Sequence, residues 1–447
     1  MLSIAAVVAG LSAGASPVFE AVVVSVADFG AKSDGTKCTE AFARAIEKCA
    51  EAGGGRVTVP SGTWFTGAIH LRSNVELHLE ADAEVLFSDD RGDYLPPVAS
   101  SWEGLECLNL SPLLYAHCCT NVAVTGSGTI RAKMDFWYEQ MKEGKTGIQA
   151  ARAILYKWGS EDYPVEKRDI VAAHPAVLRP QLIQFNRCRD VRIEGVRIRE
   201  SPFWTIHLFM CDGVVIRGID VYAHGFNNDG VDVEMTRNVL IEDSTFDQGD
   251  DGFVFKAGRN RDAWRTATPT EKVEVRNCRV KQASSLVGVG SELSGGIRDI
   301  YVHDCVVDNA SRLFLVKTNH RRGGFVKNVR LENVHTKLVL QVASLSTSTL
   351  YQWAEFPDYE TRITEIDGLY LKNVSCDACA ECAISLRGDK RLPAKNVRIE
   401  DVRVGRVGER LVNIENVSGV QLVNVVGGEI GEVEYEFKGG RPKDGRP

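Results

Sequence analysis

From about residue 189 onward the chain repeats one phrase: a polar residue or Gly, then alternating Val and Ile, then a polar turn. It reads RDVRIEGVRI from Arg189, DGVVIRGIDV from Asp212, RNVLIEDSTF from Arg237 and EKVEVRNCRV from Glu271. It recurs as RDIYVHDCVV from Arg298, KNVRLENVHT from Lys327, DGLYLKNVSC from Asp367 and KNVRIEDVRV from Lys395. The first apolar positions of the series are Val191, Val214, Val239, Val273, Ile300, Val329, Leu369, Val397 and Val420. Alternation with period two predicts strands with one buried face. A base period of about 23 to about 28 residues, with the longer gaps taken up by loops, is the mark of a solenoid. The repeats have no helix-length pattern, so the predicted fold is all-β: a single-stranded parallel β-helix whose coils pair their backbones with the coils above and below.

Three stretches depart from the repeat. TEAFARAIEKCAEAGGG, starting at Thr39, has helical periodicity and ends in a Gly run, which predicts a helix capping the open N-terminal end of the coil. Residues 131–180 carry a helical pattern in MDFWYEQMKEG or QAARAILYKWG, followed by a Pro-bearing connection. Long gaps leave room for loops near 259–270 and 346–361, the second with Tyr351, Trp353, Phe356 and Tyr359. Loops on one side of a solenoid wall its binding cleft, and Tyr351 and Trp353 are candidates for stacking on sugar faces.

Residues 1–21 begin with the apolar run LSIAAVVAGLSAGAS, which has the character of a secretory signal without its usual basic start, since no Lys or Arg precedes Lys32. The expectation is a secreted or periplasmic protein, with residues 22–440 forming one β-helical domain. No other apolar run approaches the length of a membrane span, so no membrane insertion is expected. A net charge of −7 (53 basic against 60 acidic residues) gives no basic footprint for nucleic acid. An acidic partner must therefore be met by local Lys and Arg. Of the twelve cysteines, Cys188, Cys278, Cys305 and Cys376 sit in closely similar phrases and read as small apolar residues filling equivalent turns. Cys376, Cys379 and Cys382 have metal-like spacing but no fourth ligand nearby, so packing is the expected role there too.

The candidate chemistry lies in HGFNNDGVDVEMTRNVLIEDSTFDQGDDGFVFKAG, from His224 to Gly258. Two Asp-rich turns, Asn228-Asp229-Gly230 and Asp250-Asp251-Gly252, are separated by close to one repeat. Stacked, they place Asp229 over Asp251, Asn228 over Asp250 and Asp232 over Val254, on rungs about 4.8 Å apart. Either turn alone is ordinary turn chemistry. Two in register gather three carboxylates, which is costly unless they do chemistry. Asp250 is one residue out of phase and faces another direction, which splits the trio into a pair and a singleton. An inverting glycosidase needs one carboxyl to protonate the leaving oxygen and another to activate water. Asp250 is therefore the expected general acid, and Asp229 and Asp251 the pair that holds and deprotonates the water. Around them, Asn228, Lys256, Arg259 and His207 are candidate substrate contacts. Two roles stay open for Lys256, binding substrate or lowering the neighbouring carboxylates, and for His207, sugar contact or packed core.

These motifs, NND, GDD and FKAGR, followed by VGSELSGG and VKTNHRRGG, resemble the polygalacturonases of glycoside hydrolase family 28. The likeness runs from ADFGAKSDG and GGGRVTVPSGTW near Asp28 to about residue 430. LYKWGSEDYPVEKR and SPFWTIHLFMCDGV are similar to the exo-acting bacterial and plant branch. The resemblance implies a right-handed parallel β-helix, inverting hydrolysis without metal or other cofactor, and α-linked galacturonic acid in a pectic poly- or oligosaccharide. It maps the family's catalytic aspartates onto Asp229, Asp250 and Asp251. It maps the family's Gly-His-Gly onto Ala283-Ser284-Ser285, so that Ser284 stands for the histidine. Arg-Ile-Lys falls on Leu315-Val316-Lys317, leaving only the lysine. Losing a bidentate arginine alters recognition on the leaving side, with His320, Arg321, Arg322 and Arg312 near enough in sequence to compensate. A different sugar or linkage, neutral or of rhamnogalacturonan type, is the nearest alternative. A calcium-dependent β-helical lyase and a non-catalytic carbohydrate-binding coil are further ones.

Overall fold

The computed structural model of the protein describes residues 19, 22–143, 145–176, 178–349 and 360–437. The expected signal segment therefore lies almost wholly outside the described residues, as do Tyr351, Trp353, Phe356 and Tyr359. No helix among the described residues is long and apolar enough to cross a membrane.

The strands stack into parallel ladders along three faces of a coil. One face runs from Val23–Ser25 and Gly55–Val59 through Arg189–Glu194, Asp212–Arg217, Arg237–Glu242 and Thr270–Arg276 onward. The repeat read from the sequence is its register. Val191, Val214, Val239, Val273, Ile300, Val329, Leu369 and Val397 are successive ladder partners. All eight are at most 1% exposed, so the column is the core itself. The polar residue before each has a physical reason. Asp190, Asn238, Asp299, Asn328 and Asn396 all have φ between 52° and 57°, in the left-handed region that Asn and Asp tolerate best. Gly213, Gly368 and Gly419 fill the same place in other rungs. Asn side chains bridge coils there, as Asn328 Nδ2 does to Asp299 Oδ1 at 2.6 Å.

A second face carries Gly62–Thr66, Ala83–Phe87, Thr129–Ala132, Arg197–Arg199, Asp220–Ala223 and Thr245–Gln248. The third carries Ile69–His70, Leu114–His117, Ile183–Asn186, Ile206–Phe209, Val231–Glu234 and Phe253–Lys256, then the ends of the long strands Arg279–Gly290, Ile297–Lys317 and Phe325–Ser346. The helix Thr39–Glu51 packs Phe42, Ala45, Ile46 and Cys49 into the core at the N-terminal end, where the sequence predicted a cap.

The interruption at 131–180 holds two helices, Asp135–Glu143 and Lys145–Ser160, one in each predicted stretch. Ala151, Leu155 and Tyr156 of the second pack on Trp102, Leu105, Phe203 and Trp204 to form a satellite core. Trp102 and Leu105 belong to an antiparallel hairpin, Val98–Trp102 with Leu105–Asn109, that lies across the third face. Nothing in the repeat pattern signals this hairpin.

All twelve cysteines are free thiols. They do not fill one equivalent turn. Backbone bonds place Cys119, Cys188 and Cys211 in one column just before the first face, whereas Cys278 and Cys305 stack in the turn after it. Similar local phrases occur at two different corners because both corners need a small residue beside a buried strand end. The thiols of Cys376, Cys379 and Cys382 donate to the carbonyls of Ala378, Leu340 and Ile384.

Candidate active site

Both Asp turns sit at the entrance to strands of the third face. Gly230 N–H donates to Asp251 O at 2.9 Å and Val231 pairs with Phe253, so Asp229 stacks over Asp251 as the spacing required. Asp232 pairs with Val254, and Glu234 with Lys256. The next rung brings Ser285 into the same column: Gly252 N–H donates to Ser285 O, and the Ser285 hydroxyl donates to Asp251 Oδ1 at 2.7 Å. One rung beyond Ser285, Lys317 Nζ lies 2.9 Å from Asp251 Oδ2. Space for this carboxylate depends on Gly288, where a Cβ would stand 3.2 Å from Asp251 Oδ2 and 3.1 Å from Ser285 Oγ. Asp250 is half-buried and turns away, its Oδ1 accepting the Asp251 N–H at 3.0 Å.

This arrangement divides the carboxyls by charge. Burial opposes ionisation of Asp251, yet Lys317 and the Ser285 hydroxyl outweigh it and hold Asp251 below the ordinary aspartate range. Burial, then the charge of Asp251, lifts Asp250 to about 6. Burial lifts Asp229 and Asp232 well above their usual range, with neighbouring carboxylates adding to the effect. Asp251 is thus the group that keeps its charge, and Asp250 the one that keeps a proton into mildly acidic solution.

The other sequence candidates separate by position. Ser284 is half-buried and holds Asp250 through its backbone, donating N–H to Asp250 O at 2.7 Å. The side chain on the carboxylate is that of its neighbour, Ser285. The ladder slips just before this turn, between Phe246 and Asp247, where Asp247 pairs with Gln282 and Lys281 is passed over. The side chain that bonds Asp251 is thus one position beyond the serine that the resemblance sets in the histidine's place.

His207 lies one rung before the Asp turns, paired with Asp232. It is fully buried, with Nδ1 at 2.9 Å from Gln184 and Nε2 at 2.9 Å from Glu234, under a hairpin whose Ser100 and Ser101 hydroxyls bond Gln184 and Glu234. Asn228 is also fully buried, its amide donating to Ser201 O and Phe203 O, so it shapes the turn that presents Asp229. Lys256 and Arg259 are buried on Glu292, at 3.2 Å and 2.6 Å. Lys256 also lies 3.6 Å from Asp232 and 4.6 Å from the Trp204 ring centre. Arg322, at 3.5 Å, makes Glu292 the meeting point of three cations. Those cations overcome the burial penalty and keep Glu292 ionised far below the ordinary range. Glu292 and the hairpin were invisible to motif reasoning. The one signal for Glu292 is an acidic residue inside VGSELSGG, a segment otherwise of small and apolar residues.

The hairpin also closes one side of the cleft. Its turn wedges Gly104 against Arg259 and Glu292, where a Cβ would come within 3.0 Å of both. Arg259 Nε donates to Glu103 O at 2.7 Å, and Tyr156 bonds the Glu103 carboxylate from the helix behind. Nearer its start the same hairpin lies on Gln184 through Ser100 and leaves Gln184 and His207, on the rungs before Asp229, fully buried, whereas the rungs after Asp251 carry the half-buried Arg312, Lys317, Gln341 and Ser344.

The profile of Glycosyl hydrolases family 28 matches residues 171–425. A hyperthermoactive exopolygalacturonase from Thermotoga maritima, of known crystal structure, is 32% identical, with a TM-score of 0.85 over 94% of this chain and 96% of that one. A probable polygalacturonase of Vitis vinifera is 29% identical over 70% of this chain, and an exo-poly-alpha-D-galacturonosidase of Dickeya chrysanthemi 26% identical over 73%. The chain spans 60% and 57% of the length of those two relatives. The matched segment exceeds half the chain and contains every rung that bears the carboxylates, so this chain belongs to glycoside hydrolase family 28.

Proposed function

We propose that this chain is an inverting hydrolase that removes galacturonic acid from one end of an α-linked pectic poly- or oligosaccharide. The observation that carries the reading is the split of the two adjacent carboxyls, Asp250 raised to about 6 and Asp251 held down by Lys317 and Ser285. An acid that keeps its proton beside a base that keeps its charge is what inversion needs. Asp250 protonates the glycosidic oxygen. Asp251 takes the proton of a water held between it and Asp229, and that water attacks the anomeric carbon from the opposite side. Asp229, which burial disfavours as an anion, orients the water rather than removing its proton. The covered rungs before Asp229 leave room for a chain end there and not for a continuing polymer, which supports exo action. The relatives from Thermotoga and Dickeya carry exo-acting names, in keeping with this. Residues 22–440 act as one catalytic domain, outside the cell or in the periplasm, where pectin is met.

Incubation with polygalacturonate is expected to release galacturonate as the first product, without early loss of viscosity, and NMR is expected to show the product born as the β anomer. A ladder of mid-length oligomers at early times would overturn exo action, and an α first product would overturn inversion. Because Asp250 must be protonated and Asp251 charged, kcat/KM is expected to fall as pH rises through about 6, with the acid limb below the ordinary aspartate range. Lys317→Met removes the charge that favours ionisation of both carboxyls. It is expected to move both limbs to higher pH, read from profiles of kcat/KM on galacturonate oligomers.

A further inference from the structure

The leaving side of the cleft has a neutral floor. From Asp232 onward its column continues through Val254, Gly288, Leu315, Ser344 and Ser385 without a cation. A galacturonate crossing these rungs brings a carboxylate that needs a positive partner. Lys317 is committed to Asp251 at 2.9 Å, and Arg322 is buried on Glu292. The adjacent column, which carries Asp229, Asp251 and Ser285, continues into Arg312 and then Gln341. Arg312 is half-buried, and its Nε donates to Gln341 Oε1 at 3.2 Å, so the side chain runs along the cleft away from the aspartates. Among the described residues no carboxylate forms an ion pair with it, although many arginines of this coil are paired with one.

We propose that Arg312 is a specificity-determining residue, binding the carboxylate of the galacturonate on the leaving side, and that Gln341 orients its guanidinium. The inference rests on the galacturonide-hydrolase reading above and adds the source of the leaving-side charge. Two ladder steps separate Arg312 from Asp251, roughly 10 Å along the axis, which places the guanidinium beside the first leaving unit. With Nε held by Gln341, the two terminal nitrogens present the paired donors that suit a carboxylate. The arrangement moves recognition from the floor, where Leu315 offers none, to the wall that also bears the catalytic column.

The test compares wild type, Arg312→Gln and Arg312→Lys on trigalacturonate and on trigalacturonate methyl-esterified at its middle unit only. Arg312→Gln is expected to lower kcat/KM on trigalacturonate by about 100-fold, mostly through KM, in line with losing one charge-paired contact. On the ester the same variant is expected to differ from wild type by less than about threefold, because the charge it would bind is gone. Arg312→Lys, with a point charge and no fork, is expected to fall between. Equal losses on both substrates, or none on either, would overturn the role of Arg312 while leaving the hydrolase reading standing. A wild-type enzyme that cleaves neither substrate but cleaves a neutral pectic oligosaccharide would overturn both.

Discussion

Replacing Asp250 by Asn is expected to lower kcat on polygalacturonate by about 10²- to 10⁴-fold with the coil intact by circular dichroism. The carboxyl is half-buried at the edge of the trio and accepts the Asp251 N–H, which an Asn side-chain oxygen also accepts. The variant therefore removes a proton donor without emptying a packed site. A second substrate separates an acid from a base. An aryl α-galacturonide with an activated leaving group needs little protonation, so the Asp250→Asn defect should shrink on it. Asp251→Asn should stay defective on both, since water must still lose a proton. Retention of more than a third of wild-type kcat on the polymer by Asp250→Asn would sink the assignment.

The second large effect is on stability. Glu292→Gln removes the anion on which Lys256, Arg259 and Arg322 converge, leaving three buried cations with weaker partners in Asp232 and Glu103. Removing one member of a buried ion cluster costs about 3–5 kcal/mol, because the remaining charges keep their desolvation penalty. Urea unfolding should show this as a lower midpoint. The double variant Glu292→Gln with Lys256→Met should lose less than the sum of the two single changes, since the second removes one of the stranded charges. Full additivity would mean that the groups do not act as a cluster. The same substitution loosens the seat of the hairpin turn at Glu103 and Gly104, so activity is expected to fall with stability.

The column Val191 to Val397 could be read from spacing because two local rules generate it. Side chains alternate along a strand, and the left-handed residue before each strand selects Asn, Asp or Gly. The Asp turns were readable for the same reason: each lies one or two residues before a strand whose phase is known, so stacking the strands stacks the turns. The separation of Asp250 from Asp229 and Asp251 followed from parity alone. Where a rung breaks the count, that logic stops. The ladder slips at Phe246 and Asp247, no composition signal marks a bulge there, and the contact of Ser285 with Asp251 was not read from the sequence.

Burial decided the rest. His207, Lys256 and Arg259 have the parity and neighbours of cleft residues, and on an open coil they would face solvent. They are covered because a hairpin from residues 98–109 and a helix from 145–160 fold back across the third face. Contacts of that kind join segments far apart in the chain, such as Ser101 with Glu234 and Glu103 with Arg259, and leave no periodic trace. The sequence by itself determined the coil, its register and the three aspartates, because each is set by neighbours within one repeat. The tertiary structure alone decided which charges are buried, which groups press on each carboxyl and which side of the cleft is closed, because those depend on what long-range packing lays over the rungs.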